Sequence, residues 1–410
     1  MRLAQSIDKT SFLKHLDNII TYLFYIFIFL LPISKATTEI FFTLIFLIWI
    51  FKKIFSKGRL KEWFPKTDLN LLLFLFLIIC FLTIFNSVEP KESLRGFWGK
   101  WFQWIMTYFI FVDSINAEKK FAYSLKILSI GYFIILLDGV YQFITGRDFF
   151  CFLPLENSRW ITSTLKNLNT YGGYLALISP ITIFFIGNNI NLFYFRLFLL
   201  LIIPLFLFNL FFTNSASLWI ALSISSFLVF LFLRKKIKKI NILFLLFPLL
   251  LFFTLFLIPI FRERIFSLCS QMDLNKGGRF PIWRDTLREI IKNPFLGKGI
   301  NTTRGFIVKK YSSSLLLIKY AHIHNLFLHI ALETGIIGLF IFCWIIYKIL
   351  KTVFSFTQRN GLISYGLFIS FVSFLITNIF DTHIGEQIFT LFWIIVGVIM
   401  VYKNLNKNIK

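Results

Sequence analysis

Acidic residues are scarce in this chain, with 19 Asp and Glu against 43 Lys and Arg, a formal net charge of +24. Cysteine is scarcer, at Cys80, Cys151, Cys269 and Cys343. No C-x-x-C or zinc-type spacing joins them, so cysteine chemistry is not expected. Only Cys151 and Cys269 fall in expected outer segments; an oxidising compartment would allow them to pair, but they are read as two separate thiols. Neither an Asp-x-Asp motif nor a His and carboxylate cluster suggests a metal, and no cofactor is expected. Residues 1–16 are polar and no A-x-A-like site follows the first apolar run, so no cleavable signal peptide is read and the first helix is expected to stay.

Apolar residues are abundant. They make up 57% of the 410 residues, 57 of them Phe. Runs of about 18 to 24 apolar residues can cross a hydrocarbon core of roughly 30 Å as helices, which satisfy their own backbone in lipid. The pattern predicts an all-α polytopic membrane protein, a single transmembrane domain over 1–410 with twelve spans: 17–34, 37–51, 69–86, 97–112, 122–145, 168–187, 197–212, 217–233, 240–261, 325–347, 362–380 and 387–402. An even number of spans puts both termini on one side, taken as cytoplasmic.

The net charge could suggest nucleic acid, but the positions of the cations argue against it. Lys52, Lys53, Lys57, Arg59, Lys61 and Lys66, then Arg234 to Lys239, then Lys348, Lys351 and Arg359, and the tail lysines all fall on the inner side, as the positive-inside rule requires. The exception is the loop 262–324, between the ninth and tenth spans. On this topology it faces outward, yet it carries twelve cations and four acids. Two readings stand: long loops translocate whatever their charge, or this one holds an anionic ligand.

Within the loop, Pro281 suits a first helical turn and Asn293-Pro294 a stop. A short amphipathic helix over 281–292 is expected at the membrane surface, with Ile282, Leu287, Ile290 and Ile291 on one face, Trp283 at its edge, and Arg284 and Arg288 near its polar side. Arg279 precedes it, and its planar fork suits an oxyanion. Gly297-Lys-Gly299 makes a turn. His324-Asn325 then opens the tenth span, with His322 just before and His329 and Glu333 just after. Histidine can take a hydroxyl proton near neutral pH. Glu333 would lie roughly 13 Å into an unbroken span, where a charge is costly and calls for a partner. His329, four residues earlier, is that partner, and Glu333 is read as structural or orienting. Gly335 and Gly338 would admit a neighbouring helix.

The run His324-Asn-Leu-Phe-Leu-His-Ile-Ala-Leu-Glu333-Thr-Gly335-Ile-Ile-Gly338 resembles the signature of the O-antigen ligase and polymerase superfamily. Arg279-Phe-Pro-Ile-Trp283 with Asn293-Pro-Phe-Leu-Gly297-Lys-Gly299, Leu168-Asn169 before the sixth span, and Asp381 after Asn378 are similar to further elements of that family. The likeness covers about 160 to 400 well, and the first 160 residues by topology only. One departure stands out: Thr213-Asn-Ser215-Ala216-Ser217 has Ala216 where the family commonly has an arginine. Arg147, Arg159 and Lys166, in the outer segment between spans five and six, are the candidate substitutes.

The resemblance implies a type-C glycosyltransferase-like fold and metal-independent transfer of a polysaccharide from undecaprenyl diphosphate to a hydroxyl of lipid A core, at the periplasmic face of the bacterial inner membrane. With it come roles: Arg279 on the diphosphate, His324 on the acceptor hydroxyl, Arg284 or Arg288 as supporting charge, and His322, His329, Glu333, Asn325 and Trp283 as support. A polymerase acting on a second lipid-linked glycan, or a related exopolysaccharide polymerase, is the alternative within the class. A lipid-linked sugar flippase or transporter is the alternative outside it, disfavoured because charged residues are nearly confined to the fifth span, at Asp138, and the tenth, and no repeated halves are visible.

Overall fold

A computed structural model describes residues 2–56, 59–189, 192–233, 259, 262–263, 279–310, 322–357, 361–385 and 387–407. The helices in chain order are α1 (Arg2–Leu30), α2 (Lys35–Ser56), α3 (Leu60–Trp63), α4 (Asn70–Phe85), α5 (Pro90–Gly96), a π-helical turn (Phe97–Phe102), α6 (Gln103–Ser114), α7 (Glu118–Thr145), a 3-10 turn (Ser163–Leu165), α8 (Leu168–Asn189), α9 (Leu192–Phe212), α10 (Ala216–Leu233), α11 (Arg279–Lys292), α12 (Thr303–Lys310), α13 (Leu326–Thr357), α14 (Leu362–Phe380) and α15 (Gln387–Lys407). Among the described residues the strand-like pairings are two isolated bridges, Arg147 with Pro154 and Glu156 with Trp160.

Helices coincide with every expected span except 240–261, of which only residue 259 is described. Among the described residues, six helices are long and apolar enough to cross a membrane: those holding Thr10–Leu30, Glu118–Thr145, Leu168–Gly187, Leu326–Thr357, Leu362–Phe380 and Gln387–Asn406. The chain is a multi-pass membrane protein. Its many aromatic side chains do much of the interior packing, because rings in edge-to-face contact fill space between helices that lipid cannot drive together. Trp101 meets Phe76 at 4.8 Å and Trp104 meets Phe389 at 4.6 Å, fastening the π-helical turn and α6 to α4 and α15.

The two ends of the bundle differ. At one, Lys53 donates to Asp113 at 3.0 Å, Trp49 Nε1 donates to the same carboxylate at 2.9 Å, Lys52 meets Asp17 at 2.5 Å, and Lys403 pairs with Asp68. Part of the basic cluster expected to mark topology is therefore neutralised within the bundle. At the other end, the buried carboxylate of Asp138 in α7 accepts the Phe149 N–H at 2.8 Å and the Ser163 hydroxyl. Gln142, one turn on, accepts the N–H groups of Thr162 and Ser163 at 2.9 and 2.8 Å. These two side chains hold the segment 146–167 over the bundle end. Ile161 N–H donates to Phe212 O at 3.0 Å, fixing that segment to the turn between α9 and α10. Asp138, the charged residue noted in the fifth span, is thus a structural clasp.

Candidate active site

α13 is two helices rather than one. Gly335 has φ +69 and ψ −174, so the chain leaves helical geometry there and resumes at once. A break exposes backbone groups that lipid cannot satisfy. Here the Pro294–Gly299 loop supplies the partners: Lys298 N–H donates to Leu332 O at 2.8 Å, Gly299 N–H to Glu333 O at 3.1 Å, and Ile336 N–H to Pro294 O at 2.7 Å. The approach leaves no room for side chains. A Cβ on Gly297 would stand 2.5 Å from Leu332 O, and one on Gly335 would strike the backbone of Phe295. The left-handed φ values of both residues, +65 and +69, also favour glycine. The expectation that Gly335 admits a neighbouring helix is corrected: it admits a loop. Gly338 does face a helix, with Ile79 of α4 at 3.5 Å from the position of a Cβ, behind Thr334 of its own turn.

Glu333 consequently sits at the end of a short half-helix, and not deep in an unbroken span. It is 2% exposed. His329 Nε2 lies 3.1 Å from its Oε1, and the Thr303 hydroxyl donates to the same oxygen at 2.7 Å. The expected His329–Glu333 pair is present, and it clamps the start of α12 to α13. Ile282, Ile290, Ile307, Ile323, Ala331 and Leu332 form a small apolar cluster beneath.

The same half-helix carries His324 to the C-terminal end of α14. Asn325 caps α13, its side-chain oxygen accepting the Leu328 N–H at 2.9 Å. Its amide donates to Ile379 O at 3.1 Å, while Arg279 Nη1 donates to Phe380 O at 2.5 Å. Two carbonyls in the last turn of α14, which a helix end cannot pair internally, are thereby satisfied. Just beyond them, Asp381 Oδ1 lies 2.9 Å from His324 Nδ1. His324 adopts φ +56, an uncommon conformation for a residue with a side chain and one concentrated at functional sites.

Asp381 is 6% exposed, and burial alone would raise its pKa. The hydrogen bond and charge of His324, with the charges of Arg279 and His383, outweigh burial and bring it down to about 2. A carboxylate at Nδ1 holds the proton there and leaves Nε2 as the basic nitrogen. On the far side, His383 is buried against Gly173, its N–H bonded to the Asn378 side chain at 3.3 Å. Burial pushes the pKa of its imidazole down, which favours the neutral form.

The structure brings His324, Arg279 and Asn325 together. Trp283 joins them by donating to Ile323 O at 2.7 Å, and the ring of His322 is 6.2 Å from that of His324. Other candidates are placed differently. Arg284 and Arg288 are on the exposed side of α11, 3.7 and 3.4 Å from Asp285, with no contact to His324 or Asp381. Arg147, Arg159 and Lys166 are exposed in the 146–167 segment, and Ala216 is buried at the start of α10. The expected face of α11 is corrected too. Ile282 and Ile290 are buried, whereas Leu287 and Ile291 are 49% and 76% exposed, because the inward face also carries Asp285, Thr286 and Glu289. The helix begins at Arg279 itself. Cys80, Cys151 and Cys343 are free thiols; Cys269 lies outside the described residues.

The sequence alone assigns Asp381 no role in the site; the signal for one is a polar group, Asn378, Asp381 and His383, closing an otherwise apolar run. Among the described residues, no group of three or more His, Cys, Asp or Glu is placed to share a metal ion.

Residues 199–343, which contain the 294–299 loop and the His324–Gly338 run, match the family model described as O-Antigen ligase. A Rickettsia typhi protein named "Putative polysaccharide ligase" is 27% identical over 92% of this chain and 95% of its own length. A Rickettsia prowazekii protein of the same description is 26% identical over the same shares. The ComP-specific O-oligosaccharyltransferase of Acinetobacter baylyi is 26% identical over 48% of this chain and 36% of its own. By these matches and the residues that carry them, the chain is similar to the O-antigen ligase superfamily, most directly over residues 199–343.

Proposed function

We propose that the protein is a glycosyltransferase of the ligase type, moving a polysaccharide from a lipid diphosphate to an acceptor hydroxyl. The observation that carries the mechanism is the 2.9 Å contact between His324 Nδ1 and the ionised Asp381. His324 Nε2 takes the proton of the acceptor hydroxyl as its oxygen bonds to the anomeric carbon. The bond from that carbon to the diphosphate breaks, and the lipid diphosphate leaves with the electron pair. Asp381 stabilises the imidazolium. Arg279 uses one N–H on Phe380 O, and the rest of its five-donor fork meets the charge of the departing diphosphate.

In this reading the donor is undecaprenyl diphosphate-linked, the acceptor is lipid A core, and the site faces the periplasm from a bacterial inner membrane crossed twelve times, with both termini cytoplasmic. Arg159 or Lys166 stands in for the family arginine at Ala216: the contact of Ile161 with Phe212 brings their segment to the same turn. Arg284 and Arg288 add positive charge at the rim. Reconstituting the full chain with a lipid-linked glycan and lipid A core tests the reading. Glycan should appear on the core with wild type and not with Asp381→Asn or His324→Ala. Growth of lipid-linked polymer in place of core modification would make it a polymerase, and no glycan product with either acceptor would overturn the proposal.

A further inference from the structure

At the same end of the bundle as His324 and Asp381, a cavity of about 60 Å³ lies between the start of α2, the π-helical turn with α6, and the start of α15. Two lysines line it. Lys35 donates to Gly385 O at 3.2 Å and Lys100 to the Asn301 side-chain oxygen at 2.6 Å. They share the wall with the amide of Gln103 and the hydroxyl of Thr390, 8% and 5% exposed. The exposed carboxylate of Glu39 also borders the cavity, so the lining carries two cations and one acid. At about 30 Å³ per water, the space suits one compact polar group.

Two ammonium groups, an amide and a hydroxyl around one small space form a donor set for an oxyanion. Gly385 is four residues after Asp381, a reach of at most about 14 Å along the chain, so one extended substrate can span both places. None of the residues given roles in the transfer lines this cavity.

We propose that it is an oxyanion subsite holding a phosphate or carboxylate group carried by the donor glycan or by the acceptor. The inference rests on the glycan-transfer reading for its ligand, but its binding test does not depend on transfer.

The full-length protein in detergent is treated with an amine acylating reagent while inorganic phosphate or glucuronate is titrated, and labelling of Lys35 and Lys100 is read by mass spectrometry. Both anions should protect both lysines and glucose should not. In Lys100→Gln, the concentration that half-protects Lys35 should rise about tenfold, the scale of one charge-assisted hydrogen bond. Gln103→Leu and Thr390→Val should weaken protection as well, and they serve if Lys100→Gln does not purify. Equal protection by glucose, or unchanged protection in the variants, would overturn the subsite. In the transfer assay, Lys35→Gln should raise KM for the donor alone if the donor carries the anion, and for the acceptor alone if the acceptor does; no change in either also sinks the proposal. His324→Ala should keep full protection while losing transfer. Intact protection in a wild-type protein that transfers no glycan would leave the subsite standing and remove the functional reading.

Discussion

Arg279 reaches across from α11 to the last turn of α14, where its guanidinium donates to the carbonyl of Phe380, one residue before the carboxylate that holds His324. The same side chain thus supports the position of Asp381 and presents charge beside it. Arg279→Ala is expected to lower the transfer rate by about two to three powers of ten, the scale for one transition-state donor, and to lower the melting temperature as well. Lys should restore part of the rate, because it keeps the charge and loses the fork. A full rate with a lowered melting temperature in Arg279→Ala would reduce the residue to a helix cap.

The histidines separate by what they touch. His324→Ala should cost about two to four powers of ten in rate with the fold intact, since its side chain is 18% exposed and fills no core. His322→Ala should keep most of the activity. His329→Ala should lose stability first, and the comparison needs melting curves beside the rates. Equal losses of rate in all three, at wild-type stability, would rule out a single base.

The clamp around the α13 break makes a separate prediction. Removing one partner of a buried ion pair costs about 3–5 kcal/mol, so Glu333→Ala should be strongly destabilised and Glu333→Gln, which keeps a hydrogen-bonding group, less so. Gly297→Ala should match the Ala variant in severity. Denaturation of each purified protein reads the order, and a Gly297→Ala protein as stable as wild type would contradict the close approach of the loop.

Acid stability follows from two depressed carboxylates. Asp381 and Glu289, the latter hydrogen-bonded by Lys292 and Lys298, both have folded-state pKa values near 2. A depressed pKa means the folded state favours the charged form. Its stabilisation is complete above the unfolded values of about 4 and is lost as pH falls from there toward 2. Melting temperature against pH should drop below about pH 4, and the drop should shrink in Glu289→Gln and in Asp381→Asn. An undiminished drop in both variants would assign acid sensitivity elsewhere.

Sidedness is open to labelling. Single cysteines replacing Lys57 and Lys236 should resist an impermeant thiol reagent in intact cells, whereas the native Cys269 should react. All three positions are outside the described residues. Labelling of Lys57→Cys from outside would invert the arrangement.

The helices were legible because apolar runs long enough to cross a membrane have few other soluble solutions. The His329–Glu333 pair was legible because four residues make one helical turn. The break at Gly335 was hidden, since Gly-Ile-Ile-Gly keeps a span's hydropathy whether the chain is straight or bent. Asp381 is 57 residues from His324, and no local period joins them. Leu287 and Ile291 misled because α11 turns its ion-paired carboxylates inward and leaves apolar side chains outside, a reversal that hydrophobicity alone cannot indicate.

The interrupted α13 also bears on the order of assembly during synthesis, which proceeds from the N-terminus. The loop that fills the break, 294–299, leaves the ribosome before residues 332–336, so the gap can be closed as soon as the helix forms. The partner of His324 arrives 57 residues later, with the end of α14. A nascent chain halted near residue 360 would therefore hold a finished clamp around the α13 break while His324 still lacks its carboxylate partner, which comes only with the penultimate helix.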